Sequence, residues 1–193
     1  MTRALYIGPW RVDLSVREGI ARPVAASVLT RAVVAGLAAA GAPSPASIGL
    51  ILSDDAELTE LNATHLGKTG PTDVLSFPLL PSDAFPLHPG KLDRGDRDGP
   101  TGAAASPSFA LPPGRRLHLG DIIVSVERAT EQAGAGRGGQ TSDIRWSAAD
   151  ELRLLVTHGA LHICGWDHAE PVEETAMRAL ETRLLGPRVD TSR

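Results

Sequence analysis

The 193-residue sequence predicts an α+β fold in which a small β-sheet packs against helices. Strand-like and helix-like runs follow one another without strict strand–helix–strand alternation, which argues against a doubly wound sheet. Apolar residues make up 42% and charged residues 22%, the balance of a soluble globular chain. A chain of this length can bury one core with loop to spare, so residues 1–193 are read as a single domain.

The elements follow in order. "VDLSV" (12–16) alternates apolar and polar residues, the pattern of a half-buried strand. Pro23 opens a helical stretch in which Val28, Leu29, Ala32, Val33 and Leu37 recur at helical spacing, and Gly41 with Pro43 ends it. "SIGLILSD" (47–54) reads as a buried strand. "DAELTELNATHLG" (55–67) reads as a short helix with Leu58 and Leu61 on one side, closing at Gly67. "TDVLSFPLL" (72–80) is a strand ended by Pro78. Residues 81–117 are rich in Pro, Gly, Ser, Asp and Arg without periodicity, and are expected to form a long, flexible insertion.

"LGDIIVSVERATEQA" (119–133) starts as a strand and becomes a helix near Ser125, and 134–143 is a Gly-rich loop. Ser147 with Asp150 fits a capping box that introduces a helix through "ELRLLVTHGALHI", with Gly165 as a left-handed cap. The last helix runs from about 171 to 185. Val172, Ala176, Leu180 and Leu184 are read as its buried stripe, and Gly186-Pro187 stops it.

Charge and targeting exclude several functions. No apolar run approaches the ~18 residues of a membrane span. The N-terminus lacks a signal-peptide core, and the single cysteine, Cys164, cannot form an internal disulfide. A cytoplasmic location is therefore expected. A net charge of −4 gives no global basic field for nucleic acid. Lysine occurs only at Lys68 and Lys91, so an RNA-binding groove would draw on arginine.

"THGALHICGWDH" (157–168) holds three of the six histidines. His158 and His162 are four apart on a helix, share a face and can converge on one ion. A turn at Gly165 brings His168 in as a third ligand. Three imidazoles leave a fourth position on zinc open, the catalytic rather than the structural arrangement, and water there becomes a usable nucleophile near neutral pH. Three imidazoles also suit nickel or iron.

Cys164 reads either as a soft ligand or as a small packing residue. Asp167 can orient a histidine, act as a base, or cap the following helix. His65, His88 and His118 have no partner at ligand spacing and read as surface or loop residues. The spacing matches a zinc protease, but Gly159 stands where such a protease has its glutamate base. Peptide hydrolysis therefore falls behind phosphodiester cleavage, where a metal can polarise the phosphoryl oxygen without that glutamate.

"HGALHICGWDH" (158–168) resembles the H-G-x-L-H-L-x-G-[YW]-D-H signature of the YbeY family, metal-dependent endoribonucleases of rRNA maturation. "PTDVLSFP" (71–78) and "LGDIIVSVERATEQA" (119–133) are similar to two further family segments, in the family's order, so the resemblance covers roughly 12–185. It implies a small mixed sheet with the metal at one end of a cleft. It also implies His158, His162 and His168 as ligands of one zinc ion, and single-strand-specific RNA cleavage. The implied roles are 16S rRNA 3′-end maturation and ribosome quality control, with the 16S precursor and the small subunit or a ribosomal protein as partners.

Two departures stand out. Many members carry an arginine thought to contact phosphate at the position of Leu66 in "LNATHLGKTG". An apolar side chain cannot make that charge-assisted contact. Lys68 either substitutes as a point charge or is a solvated loop lysine. The 81–117 segment is also longer than the family's usual connection, and its Arg94, Arg97, Arg115 and Arg116 either touch RNA or a ribosomal protein or are solvated. Leu66 motivates an alternative: a ribosome-associated binding factor with a mainly structural metal and weakened cleavage. Asp73 and Ser76 can hydrogen-bond within the cleft, or Asp73 can satisfy backbone amides. Asp121 is read as structural.

Overall fold

The computed structural model describes residues 2–89, 115–135 and 146–186. Its strands are β1 (Thr2–Ile7), β2 (Trp10–Val16), β3 (Ala46–Ser53), β4 (Val74–Pro78) and β5 (Leu117–Ser125). Its helices are α1 (Ala26–Ala39), α2 (Asp55–Leu66), α3 (Val126–Ala135), α4 (Ala148–Ile163) and α5 (Pro171–Leu185). The sheet order is β1-β2-β3-β5-β4. β2, β3 and β5 run parallel, while β1 and β4 are antiparallel edges. The α+β fold with a mixed sheet is thus observed, with each edge added by an antiparallel pairing. Among the described residues no helix is long and apolar enough to cross a membrane.

Strand alternation sorts the core. Ile48, Leu50, Ile122 and Val124 face the main core, which α1, α4 and α5 cover. Ile51, Ile123, Leu75 and Phe77 face the other way, where they pack with Leu58 and Leu61 of α2. α4 is the centre of the large layer: Leu152, Leu155, Val156, Ala160, Leu161 and Ile163 are all buried. Its start is the expected capping box, in which Ser147 Oγ accepts from the Asp150 amide and Asp150 accepts from the Ser147 amide, both at 3.2 Å.

Three expectations need correction. β1 is an addition to the expected elements: Thr2–Ile7 is mostly exposed and turns only Leu5 and Ile7 toward the core. It exists by pairing with β2 across a tight turn at Gly8-Pro9. The stripe on α5 is Glu173, Met177 and Leu180, and Val172 is 68% exposed. A strict four-residue spacing drifts about 40° per step from the 3.6-residue turn, so Val172 leaves the face that Leu180 occupies. Part of 81–117 is docked: Ser82–Ala84 form a 3₁₀ turn, and Phe85 and His88 are buried. The flexibility read for 90–114, with Arg94 and Arg97, concerns residues outside those described.

Candidate metal centre

The site begins with how closely α4 lies on the sheet. A Cβ on Gly159 would stand 2.8 Å from Ile122 Cγ2 and 3.1 Å from Ser76 Oγ. Only glycine allows this approach, and Ser76 Oγ donates to the Gly159 carbonyl at 3.2 Å to fasten it. Position 159 therefore points into β4 and β5. The glycine read from sequence as an absent base is a packing contact. Gly159 directed inward leaves His158 and His162 on a neighbouring face of the same helix.

After Ile163 the chain turns at Cys164 and Gly165, the latter at φ +80°. The Trp166 amide donates to the Leu161 carbonyl at 3.1 Å and closes the turn. His168 is thereby returned to the helix. The three rings stand with centroids 4.4, 5.5 and 5.1 Å apart, and one ligand atom from each lies within 4.8 Å of the others.

The hydrogen bonds fix the chemistry of two rings. His158 Nδ1 lies 2.7 Å from Glu181 Oε1, and a carboxylate there requires an N–H donor. His162 Nδ1 donates to the Trp166 carbonyl at 2.8 Å. With both Nδ1 atoms donating, Nε2 is the nitrogen each ring turns to the cluster, an assignment that follows from this network. The two Nε2 atoms face each other at 2.9 Å. Two lone pairs in that position repel unless a proton or a metal ion lies between them. Tetrahedral ligands at zinc distances stand ~3.3 Å apart, so the pair is close to the geometry an ion would take.

Burial, followed by the neighbouring His158, pushes the His162 ring down to about 4. It is therefore neutral and ligand-ready at neutral pH. The donor set is three imidazoles, two of them with anchored outer partners, and it fits zinc and equally nickel or iron.

A cavity of about 260 Å³ opens beside the cluster, with Asp73, Leu155, His158, His168, Met177 and Glu181 in its lining. Of the two readings of Asp73, the structure favours the cleft. Its carboxylate lines the cavity and accepts from Gln132 Nε2 at 3.1 Å, while its carbonyl accepts from the Ser125 amide. Asp121 is half-exposed, 3.4 Å from His118 Nε2. Asp167 does not cap α5, whose N-cap is Glu170; its carboxylate accepts from the adjacent His168 amide at 2.8 Å. It is bonded to neither neighbouring ring.

Cys164 is the packing residue, 1% exposed, and burial pushes its thiol up to about 12, so it stays protonated. Lys68 and Leu66 are exposed at the end of α2 and do not line the cavity. Arg116 instead donates to the Pro9 carbonyl at 2.5 Å.

The structure corrects one histidine. His88 is 5% exposed, not a surface residue. It stacks on Trp166 at 4.1 Å and 11°, with Nε2 3.2 Å from the Gly165 carbonyl. It thus braces the turn that delivers His168. His65 packs edge-on against Phe77 and His118 meets Ser47 Oγ at 3.1 Å, neither near the cluster. Sequence reasoning missed Glu181 and Glu173. Glu173 is 2% exposed and accepts from the Asp167 amide at 3.0 Å. The available signal was weak: Glu173, Met177 and Glu181 recur four apart on α5, two carboxylates on a face turned inward.

A family model described as Endoribonuclease YbeY matches residues 18–187. A protein of Salinispora tropica named Endoribonuclease YbeY is 40% identical over 171 residues, covering 86% of this chain and 92% of its own. One of the same name from Roseiflexus castenholzii is 35% identical over 176 residues, covering 91% of each. The solution structure of TM1509 from Thermotoga maritima has a TM-score of 0.48 at 18% identity, over 94% of this chain and 99% of that one.

Proposed function

This chain belongs to the YbeY endoribonuclease family, and we propose that it is a zinc-dependent, single-strand-specific endoribonuclease of 16S rRNA 3′-end maturation and ribosome quality control. The observation that carries the reading is the pair of Nε2 atoms 2.9 Å apart, each with its Nδ1 anchored, beside an open cavity. His158, His162 and His168 would hold the ion. Zinc supplies Lewis-acid polarisation of a phosphoryl oxygen and positive charge for the displacement. Glu181 and the Trp166 carbonyl hold the two helical rings in the ligand tautomer, and His88 stacked on Trp166 keeps that carbonyl in place. Position 159 faces the sheet, so no base of the zinc-protease kind can act from there, which disfavours peptide hydrolysis.

The reading places the protein in the cytoplasm as a single domain, 1–193, working on the small subunit or with a ribosomal protein. The test is His158→Ala. It should abolish both metal retention and cleavage of a single-stranded 16S rRNA fragment. Cleavage that persists in metal-stripped His158→Ala protein would sink the proposal. A second reading is favoured by Leu66, 52% exposed where an arginine would meet phosphate: a ribosome-associated binding factor whose metal is mainly structural.

A further inference from the structure

The cavity beside the histidines has an unusual charge balance for a site that takes RNA. Its lining carries the carboxylates of Asp73, Glu174 and Glu181. Among the described residues that line it, one lysine or arginine is present: Arg178 on α5. Each of the three is engaged, Glu181 by His158, Asp73 by Gln132 and Glu174 by Arg178. A phosphodiester entering here meets repulsion from the acids, and beside the proposed ion one basic side chain of the lining attracts it.

Arg178 is placed to provide it. It lies three residues before Glu181 on the same helix, so the two side chains project from one face. Glu181 fixes His158, which means that α5 presents Arg178 in a constant relation to the histidine cluster. The Arg178 side chain is 75% exposed, and its present partner is Glu174, one turn away at 2.6 Å. An exposed helical pair of this kind is weak and is screened by salt. A phosphate, which accepts two parallel N–H bonds from guanidinium, competes well against it.

We infer that Arg178 is the phosphate-contacting residue of this site, assuming the role that an apolar Leu66 cannot fill, with Glu174 as its resting partner. This rests on the nuclease reading above. The site then grips a single-stranded RNA from α5, on the histidine side of the sheet, and not from the end of α2.

The test uses the full-length, metal-loaded chain and a 5′-labelled single-stranded RNA. Arg178→Gln should lower kcat/KM about 10- to 100-fold, mainly through KM, the scale of one charge-assisted hydrogen bond. It should flatten the salt dependence by about one phosphate contact and leave metal content unchanged. Arg178→Lys should recover part of the loss. Glu174→Gln should lower KM at low salt, since it releases the guanidinium. If the wild type cleaves and Arg178→Gln matches it in KM and salt slope, the inference is overturned and the nuclease reading stands. If the metal-loaded wild type neither cleaves nor binds the RNA, the nuclease reading falls and takes this inference with it.

Discussion

Strand β4 separates two regions built to different tolerances. On one side Ser76 bonds the Gly159 carbonyl and Val74 lies against the same glycine, so α4 is locked to the sheet with its histidines fixed. On the other side Leu75 and Phe77 meet α2, whose far end carries Leu66 and Lys68 in solvent. The histidine side is over-determined. Each helical ring has an anchored Nδ1, the turn is braced by His88 and Trp166, and Glu173 holds the Asp167 amide. The α2 end is held by fewer contacts: the Asn62 side chain donates to the Gly70 carbonyl at 3.0 Å, and His65 packs edge-on against Phe77. The contrast teaches that the two sides of β4 tolerate change differently. Leu66 is exposed at the α2 end and free to vary without touching the core, whereas a Cβ at Gly159 would press on Ile122 and Ser76 and disturb the helix that carries His158 and His162.

The largest effect should come from the anchored side. Glu181→Gln leaves the His158 ring without its carboxylate and should weaken metal affinity ~10- to 100-fold, read by competition with a chelator. If affinity is unchanged, Glu181 is only a packing residue. Gly159→Ala should cost ~1–3 kcal/mol in denaturant unfolding, because its Cβ would meet Ile122 at 2.8 Å. A neutral result would show that α4 can lift off β4, and the contrast between the two sides would dissolve.

Leu66→Arg probes the looser side. It should leave stability and metal content unchanged and raise RNA cleavage severalfold if the α2 end still faces substrate. No gain would argue against the weakened-nuclease reading and would place the contact elsewhere. The smallest effect belongs to a bond at the start of α2. Arg17 donates to Glu57 and, with the Ser53 hydroxyl, holds its carboxyl below the ordinary value of 4.5. A depressed carboxyl stabilises the fold above that value and loses its contribution as pH falls through and below it. Arg17→Ala should cost only ~0.2–1 kcal/mol at neutral pH. The difference from wild type should fade below about pH 4.5, as followed by thermal unfolding.

Much of this was legible in the sequence where the signal is local. His158 and His162 four apart, Ser147 with Asp150, and Gly67 after α2 each announce a feature within a few residues, and the helices and strands they mark are found in place. What depends on docking was not legible. Glu181 becomes a partner of His158 only once α5 lies beside α4, twenty-three residues later in the chain. His88 sits in a stretch with no periodicity, and its burial follows from stacking on Trp166. β1 has only a two-residue stripe, Leu5 and Ile7, and is held in place by its pairing with β2.

Whether the histidine cluster holds a metal ion that drives RNA cleavage is decided by measuring metal content and cleavage of purified 16S precursor on one preparation, before and after chelation. About one ion per chain is expected, with cleavage that vanishes when the ion is removed and returns when zinc is restored. Equal cleavage by the metal-free chain, or a metal-replete chain that leaves the precursor intact, would rule the metal-driven reaction out.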